Sequence, residues 1–205
     1  MKLSGEATLH APIEKVWTVL NDPAVLVRTI PGCERLEATG PDAYRMVVTA
    51  GVASLRGTYA GEVQLSDQRQ PNSFLMTASG AGGPGTVSTE VRVSLSDTGD
   101  GSTRLTYDAD AVVGGVIAGV GQRMLVGVSK KMAGQFFQSV DDVLTGSTGM
   151  APPGAVQAEP GVFVGPGAGA AGALGGDGFI RGALVGAAIA LAGVLVGGAL
   201  GRRWR

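Results

Sequence analysis

The sequence predicts an α+β domain in which a curved antiparallel sheet of about seven strands wraps a long C-terminal helix. Apolar and polar residues alternate in short runs up to about residue 111, and the period becomes helical from Gly115 to Leu144. Near Thr145 the composition shifts to Gly, Ala and Pro. We therefore predict one domain over 1–145, a flexible linker over 146–181 and a hydrophobic tail over 182–205.

The elements follow from local signals in chain order. Residues 2–10 alternate as a half-buried strand, and Ala11-Pro12 then opens a helix that Asn21-Asp22-Pro23 ends. A second short helix is predicted from Pro23 to Arg28. The turn dipeptide Pro31-Gly32 leads into a six-stranded meander, and its later turns are predicted at 70–72, 80–85 and 99–101.

Charge and cysteine content narrow the class of protein. The formal net charge of −1 argues against a nucleic-acid protein driven by bulk charge. The single Cys33 has no internal disulfide partner, which favours a reducing compartment. The first ten residues lack the apolar run of a signal peptide. We expect the domain to stay in the cytoplasm.

Two segments carry a family resemblance. The first is APIEKVWTVLNDPAVLVRTIPGCERLE at 11–37, and the second runs from Gly85 to Phe137 and contains Lys130-Lys131 followed by Phe136-Phe137. Both resemble the CoxG family of carbon monoxide dehydrogenase subunits, within the START/Bet v 1-like (SRPBCC) superfamily. The resemblance implies the helix-grip fold, with an apolar cavity between the sheet and the long helix. It also implies association with a molybdenum-copper CO dehydrogenase recruited to the cytoplasmic face of the cell membrane.

Catalytic chemistry has few candidates in this chain. A nucleophile, a base and an orienting group must lie within mutual reach, but the sequence offers only His10 at a strand end and Cys33 after a turn. No CxxC or paired His suggests a metal site. Asp108 and Asp110 lie on the polar face of one strand and could be taken for a carboxylate pair. We interpret them as part of a solvated strand face. We predict a protein without catalytic residues or a metal.

An apolar binding cavity is the positive functional prediction. Small residues on the inner strand faces (Ala50, Gly57, Gly61), together with glycines of the long helix, are expected to leave volume unfilled, and adaptable methionines would line it. A plainly filled core is the alternative for any one residue. The predicted ligand contacts are Leu20, Val25, Leu26, Ile30, Met46, Val48, Leu55, Tyr59, Val63, Met76, Val91, Tyr107, Ile117, Val120, Met124 and Val128.

The expected ligand is neutral and apolar, since no charge lies on the predicted inner faces. An isoprenoid quinone, menaquinone first, suits both this chemistry and the implied electron transfer from CO. Tyr59 and Tyr107 are candidate hydrogen-bond donors to a quinone carbonyl, although buried tyrosines bonded within the protein are an equal alternative.

The tail contains an uncharged run from Gly182 to Gly201, which as a helix would span about 30 Å. It is rich in Gly and Ala, and a spanning helix would place the terminal arginines outside the cytoplasm, so insertion in the interface or docking on a protein are alternatives. The predicted membrane contacts are Phe179, Arg181, Leu184, Ile189, Leu195, Arg202, Arg203, Trp204 and Arg205.

Three functions stay open on the sequence. The favoured one is a membrane-associated carrier that binds a lipophilic ligand and links CO dehydrogenase to the respiratory chain. A recruitment or assembly factor without ligand is the alternative. An enzyme similar to the cyclases of the superfamily would need polar groups inside the cavity, where the alternation places few.

Overall fold

The computed structural model describes residues 1–147 and 156–165, with the side chains of 156–159 excepted. The domain begins with β1, α1 and α2, continues through a six-stranded meander and a short 3-10 helix at Val116–Val120, and ends in α3 and a small hairpin. The bounds are β1 Lys2–Leu9, α1 Ile13–Leu20, α2 Pro23–Thr29, β2 Cys33–Gly40, β3 Ala43–Val52, β4 Leu55–Arg69, β5 Ser73–Gly82, β6 Gly85–Asp97, β7 Thr103–Gly114, α3 Gln122–Thr145, β8 Val156–Glu159 and β9 Val162–Val164.

All of these strands belong to one antiparallel sheet in the order β1-β7-β6-β5-β4-β3-β2-β9-β8. The sheet alternates as predicted: Val91, Val93 and Leu95 of β6 are buried, whereas Arg92 and Ser94 between them are exposed. The buried face packs on the helices, and the other face is solvated. The predicted α+β helix-grip fold is confirmed.

The first two helices form where their end signals lie. In α1, Ile13, Val16, Trp17 and Leu20 are buried at the spacing of one helix face. In α2, the Asp22 carboxylate accepts a hydrogen bond from the Ala24 amide at 2.9 Å and caps the helix that Pro23 begins. Helix α2 packs against β2, α1 and α3.

Helix α3 closes the domain, but its buried face differs from the predicted stripe at its start. Met124 is 49% exposed, whereas Leu125 is buried beside Ser129 and Met132. A strict four-residue step advances about 400° around a helix of about 3.6 residues per turn, so the face drifts by about 40° at each step. Met124 lies two such steps before Met132, so its side chain is rotated by about 80° away from that of Met132 and leaves the core face.

The composition predicts a linker over 146–181, but residues 156–164 form the β8–β9 hairpin. Strand β9 extends the sheet beyond β2: the Ala38 amide donates to the Gly161 carbonyl and the Gly165 amide to the Glu34 carbonyl, both at 2.9 Å. The segment Val156 to Val164 contains three valines, one phenylalanine and a Pro-Gly turn. This short strand signal is diluted by the glycine-rich sequence around it.

Candidate functional site

An apolar cavity of about 80 Å³ lies between α2, α3 and the inner face of the sheet. Its lining comes from the three α-helices, from the residue that follows α2, and from the parts of β2 to β7 nearest the β2–β3, β4–β5 and β6–β7 turns. The strand register brings these halves together, because Tyr44 pairs with Val63 and Phe74 pairs with Val93. The lining residues are Leu20, Leu26, Ile30, Leu36, Tyr44, Met46, Val63, Leu65, Phe74, Met76, Val93, Leu105, Phe136 and Phe137.

The cavity has a buried wall and a mouth. Met46, Leu36 and Leu105 are 1–2% exposed and form its deep wall. The mouth consists of the half-buried lining residues Leu26, Ile30, Tyr44 and Val63. Helix α2 therefore forms one side of the entrance.

Aromatic side chains stiffen one end of the cavity. Phe74 packs edge-on against Trp17 of α1, with ring centroids 5.7 Å apart. The rings of Phe136 and Phe137 are neighbours on α3, with centroids 5.4 Å apart. These rings hold their places by packing on one another, whereas Met46 and Met76 are flexible thioethers able to adapt to a ligand.

Tyr44 contributes the only hydroxyl among the lining residues. Burial raises the pKa of its phenol, and the nearby carboxylates of Asp42 and Asp22 raise that pKa further. The Tyr44 hydroxyl therefore stays protonated at neutral pH and can donate a hydrogen bond at the mouth. Sequence reasoning missed this role because the alternation marks Tyr44 only as an inward-facing strand residue.

The predicted ligand contacts divide between the cavity and the surrounding core. Those that line the cavity are Leu20, Leu26, Ile30, Met46, Val63 and Met76. Val25, Val48, Val91, Tyr107 and Ile117 are buried elsewhere, and Leu55, Tyr59, Val120 and Val128 are half-buried outside it. Met124 is exposed on α3, so its predicted place on the cavity-facing side is wrong.

The glycines predicted to open the cavity do not do so. Gly119, Gly127 and Gly134 have no atom within 4 Å of an added Cβ and lie exposed on the surface. Pro84 fills the space beside Gly57, where an added Cβ would lie 2.5 Å from the proline Cδ. Among the described residues, no glycine lines the cavity, and its walls consist of large apolar side chains and Tyr44.

The predicted tyrosine donors also occupy other places. Tyr107 lies over Gly5, where an added Cβ would be 2.6 Å from the phenol oxygen, and its ring is 5.9 Å from that of Phe137. Tyr59 packs against Gly82 in the same manner, with an added Cβ 2.9 Å from its ring. Each ring therefore lies directly over a glycine of the neighbouring strand.

His10 and Cys33 have structural surroundings. The His10 Nδ1 lies 2.8 Å from an oxygen of Asp141, and its backbone amide donates to the other oxygen at 2.7 Å. This pair ties the β1–α1 connection to α3. Cys33 is buried at the start of β2, and desolvation raises its pKa to about 12, so its thiol is protonated at neutral pH.

The predicted membrane-contacting residues, 179–205, lie outside the described part of the chain. Within 1–147 and 156–165, none of the helices combines the length and apolar character needed to cross a bilayer. The same residues contain no cluster of three or more His, Cys, Asp or Glu side chains arranged to hold a metal ion.

Comparison with protein families decides the relationship. The family model for CoxG, a carbon monoxide dehydrogenase subunit, matches residues 5–145. The chain belongs to the CoxG family. The match ends at the last residue of α3, so the β8–β9 hairpin and the tail lie beyond it.

Several solved structures share the fold of this chain. A conserved protein from Geobacillus kaustophilus is similar at 35% identity with a TM-score of 0.69, over 72% of this chain and 97% of that one. A START superfamily protein from Mycobacterium smegmatis shares the fold at 16% identity and a TM-score of 0.57, over 72% and 99%. The Zhui aromatase/cyclase from Streptomyces sp. R1128 also shares the fold, at 16% identity and a TM-score of 0.56. The match covers 71% of this chain and 93% of that one. No curated protein matches the chain.

Proposed function

We propose that this CoxG-family protein is a membrane-associated carrier that takes up a lipophilic quinone, menaquinone first, and presents it to a CO dehydrogenase. The observation that supports this most is the cavity lined by apolar side chains with one protonated tyrosine hydroxyl at its mouth. Such a site favours a neutral hydrophobic ligand that has a hydrogen-bond acceptor at one end. A quinone has both properties.

The orientation of the ligand follows from the lining. The quinone ring would place a carbonyl near the Tyr44 hydroxyl, while its apolar body contacts Met46, Met76 and Phe74. Tyr44 replaces Tyr59 and Tyr107 as the proposed donor, because those two rings cover glycines outside the cavity. The isoprenoid chain would leave between Leu26 and Val63 at the mouth.

The cavity must widen to hold such a ligand. Small-molecule sites have volumes of about 300–1,000 Å³, whereas this cavity has about 80 Å³. The two methionines can change rotamer at little cost, and α2, with only seven residues, is the shortest described α-helix over the sheet. We infer that ligand uptake shifts α2 away from β3 and β4.

The small volume of the cavity also favours a second function. A recruitment or assembly factor for CO dehydrogenase needs only a stable core, and a cavity of about 80 Å³ is compatible with a core that never opens. In both proposals the CO dehydrogenase partner is suggested by the family name. The tail of residues 182–205 would supply the contact with the membrane.

Tryptophan fluorescence separates the two functions. In a full-length Trp204→Phe variant, Trp17 is the only indole, and it packs on the cavity residue Phe74. Menaquinone titrated into the protein in detergent should quench Trp17 with saturation at one quinone per chain. Tyr44→Phe should weaken the binding about fivefold or more, since one hydrogen bond contributes about 1 kcal/mol. Linear, unsaturable quenching would refute the carrier and leave the recruitment factor.

A further inference from the structure

We propose that the surface around α2 is the face by which the domain docks on an anionic bilayer, with lipid headgroups received in a cationic groove between α2 and α3. This inference rests on the proposed function, because a carrier that exchanges its ligand with lipid must turn the cavity mouth towards the bilayer. Three independent features of the described residues meet at α2.

The first feature is the groove itself, which has a volume of about 540 Å³ and carries two cations, Arg28 and Lys131. Its other lining residues are Thr29, Pro31, Gly134, Gln135, Gln138 and Ser139, with no carboxylate among them. Beside the groove on α3, the Asp142 carboxylate accepts a hydrogen bond from the Gln138 side chain at 3.0 Å. The lining therefore suits an anion that also accepts hydrogen bonds, such as a lipid phosphate.

The two cations are available to such an anion. The Arg28 Nε donates to the Ala24 carbonyl at 2.9 Å, which fixes the guanidinium against α2. Within residues 1–147 and 156–165, no carboxylate forms an ion pair with Arg28 or Lys131. Two positive charges without an ion-pair partner in the described part of the chain, one of them fixed, complement a negatively charged bilayer.

The second feature is that α2 separates the groove from the cavity mouth. Leu26 and Ile30, four residues apart, line the mouth, while Arg28 and Thr29 line the groove. One short helix therefore presents apolar side chains on one side and a fixed cation on the other. A bilayer that contacts α2 meets the headgroup site and the entrance together.

The third feature is where the chain leaves the domain. Strand β9 pairs with β2, and a Cβ added to Gly165 would collide with the Cys33 carbonyl and lie 3.2 Å from the Val27 carbonyl of α2. The remaining chain, 166–205, thus departs next to α2 and not from the end of α3. Only the 16 residues 166–181 separate this point from the uncharged run that begins at Gly182.

The departure point shortens the connection between domain and tail. If the chain left the fold at Ser147, the connection would be the 34 residues 148–181. A shorter connection raises the effective concentration of the docking face at the surface that the tail binds. The hairpin places the start of this connection beside α2 and therefore favours docking through α2.

Depth-dependent fluorescence quenching tests the docking face in the full-length protein. A Cys33→Ala background receives one dye at Gly134→Cys in the groove, where an added side chain meets no atom within 4 Å. The matched control carries the dye at Ser88→Cys, exposed on the opposite face of the sheet. Vesicles of phosphatidylcholine, with and without phosphatidylglycerol, contain nitroxide-labelled lipid as the quencher.

With phosphatidylglycerol present, we expect quenching at position 134 and little at position 88. Arg28→Gln with Lys131→Gln should lower the docked population at position 134 about 25-fold, since each cation near an anionic surface contributes about fivefold. Arg92→Gln with Arg104→Gln on the outer sheet face should leave it unchanged. Lys131→Glu alone keeps Arg28 in place and should still lower the quenching.

Three results would contradict the proposal that the domain docks through this face. These are equal or greater quenching at position 88, quenching at position 134 that ignores the groove substitutions, and a lack of association with the anionic vesicles. Quinone binding measured through Trp17 in detergent does not depend on vesicles. Failure of the carrier function is therefore seen in that titration, and failure of the docking face is seen in the vesicle assay.

Discussion

Replacing Val93 by Phe should fill the apolar cavity at little cost to stability. Val93 is 2% exposed on β6, and its side chain is part of the cavity wall opposite α3. In a core without free space, added carbon atoms force neighbouring side chains off their rotamers and cost about 1–3 kcal/mol. At Val93 the free volume absorbs part of the larger ring.

The magnitude follows from the cavity volume. At about 24 cal/mol per Å³ of empty space, filling 80 Å³ recovers about 2 kcal/mol at most. This gain offsets most of the overpacking, so the free energy of unfolding should change by less than about 1 kcal/mol. Val140→Phe is the matched control, because Val140 is fully buried on α3 but does not line the cavity. It should destabilise the domain by about 1–3 kcal/mol.

Urea unfolding followed by circular dichroism measures both changes. If the Val93 and Val140 substitutions destabilised the protein equally, the cavity would offer no usable space and the predicted difference would be wrong. Equal effects would also remove the physical basis for a ligand site at this place.

Three further predictions concern the hairpin, the buried thiol and α3. Gly165→Ala should detach β9 from β2, because a Cβ at this position collides with the Cys33 carbonyl. A thiol reagent should then label Cys33 faster. Gly83→Ala is the control: its added Cβ meets no atom, and the labelling rate should stay unchanged. Burial raises the Cys33 pKa from 9.0 to about 12, so the folded state holds the proton more tightly and stability should fall as pH rises above 9. Cys33→Ala should reduce the loss between about pH 7 and about pH 10 by about 1 kcal/mol in urea titrations, and identical losses in both proteins would contradict the assignment. Met124→Ala should change the unfolding free energy by less than about 0.5 kcal/mol, whereas Leu125→Ala should cost about 2–5 kcal/mol; the reverse order would place the wrong face of α3 on the core.

The sheet and the first two helices could be predicted because their signals are local. Alternation in β6 and β7 identifies the buried face residue by residue, and Asp22-Pro23 places the start of α2. The hairpin at Val156–Val164 could not be predicted in this way. Its strands are three and four residues long, and its stability depends on pairing with β2, a contact that is distant in sequence.

The cavity was harder to predict than the core around it. Leu26, Met46 and Met76 line it as predicted, but Val48 and Val91 have the same inward alternation and are packed elsewhere. Alternation gives the face of the sheet, whereas the position of a void along that face depends on how α2 and α3 lie over the strands. Phe136 and Phe137 entered the lining for this reason, and the helix period alone could not distinguish them from core residues.

Mass spectrometry of organic extracts from the purified full-length protein shows whether the cavity carries a quinone. A carrier should hold about one quinone per chain in the wild type, lose most of it in Val93→Phe, and keep it in Val112→Phe, where the substituted side chain is 71% exposed. Retention of quinone in Val93→Phe, or extracts of the wild type that contain only phospholipid, would contradict a carrier function for the cavity.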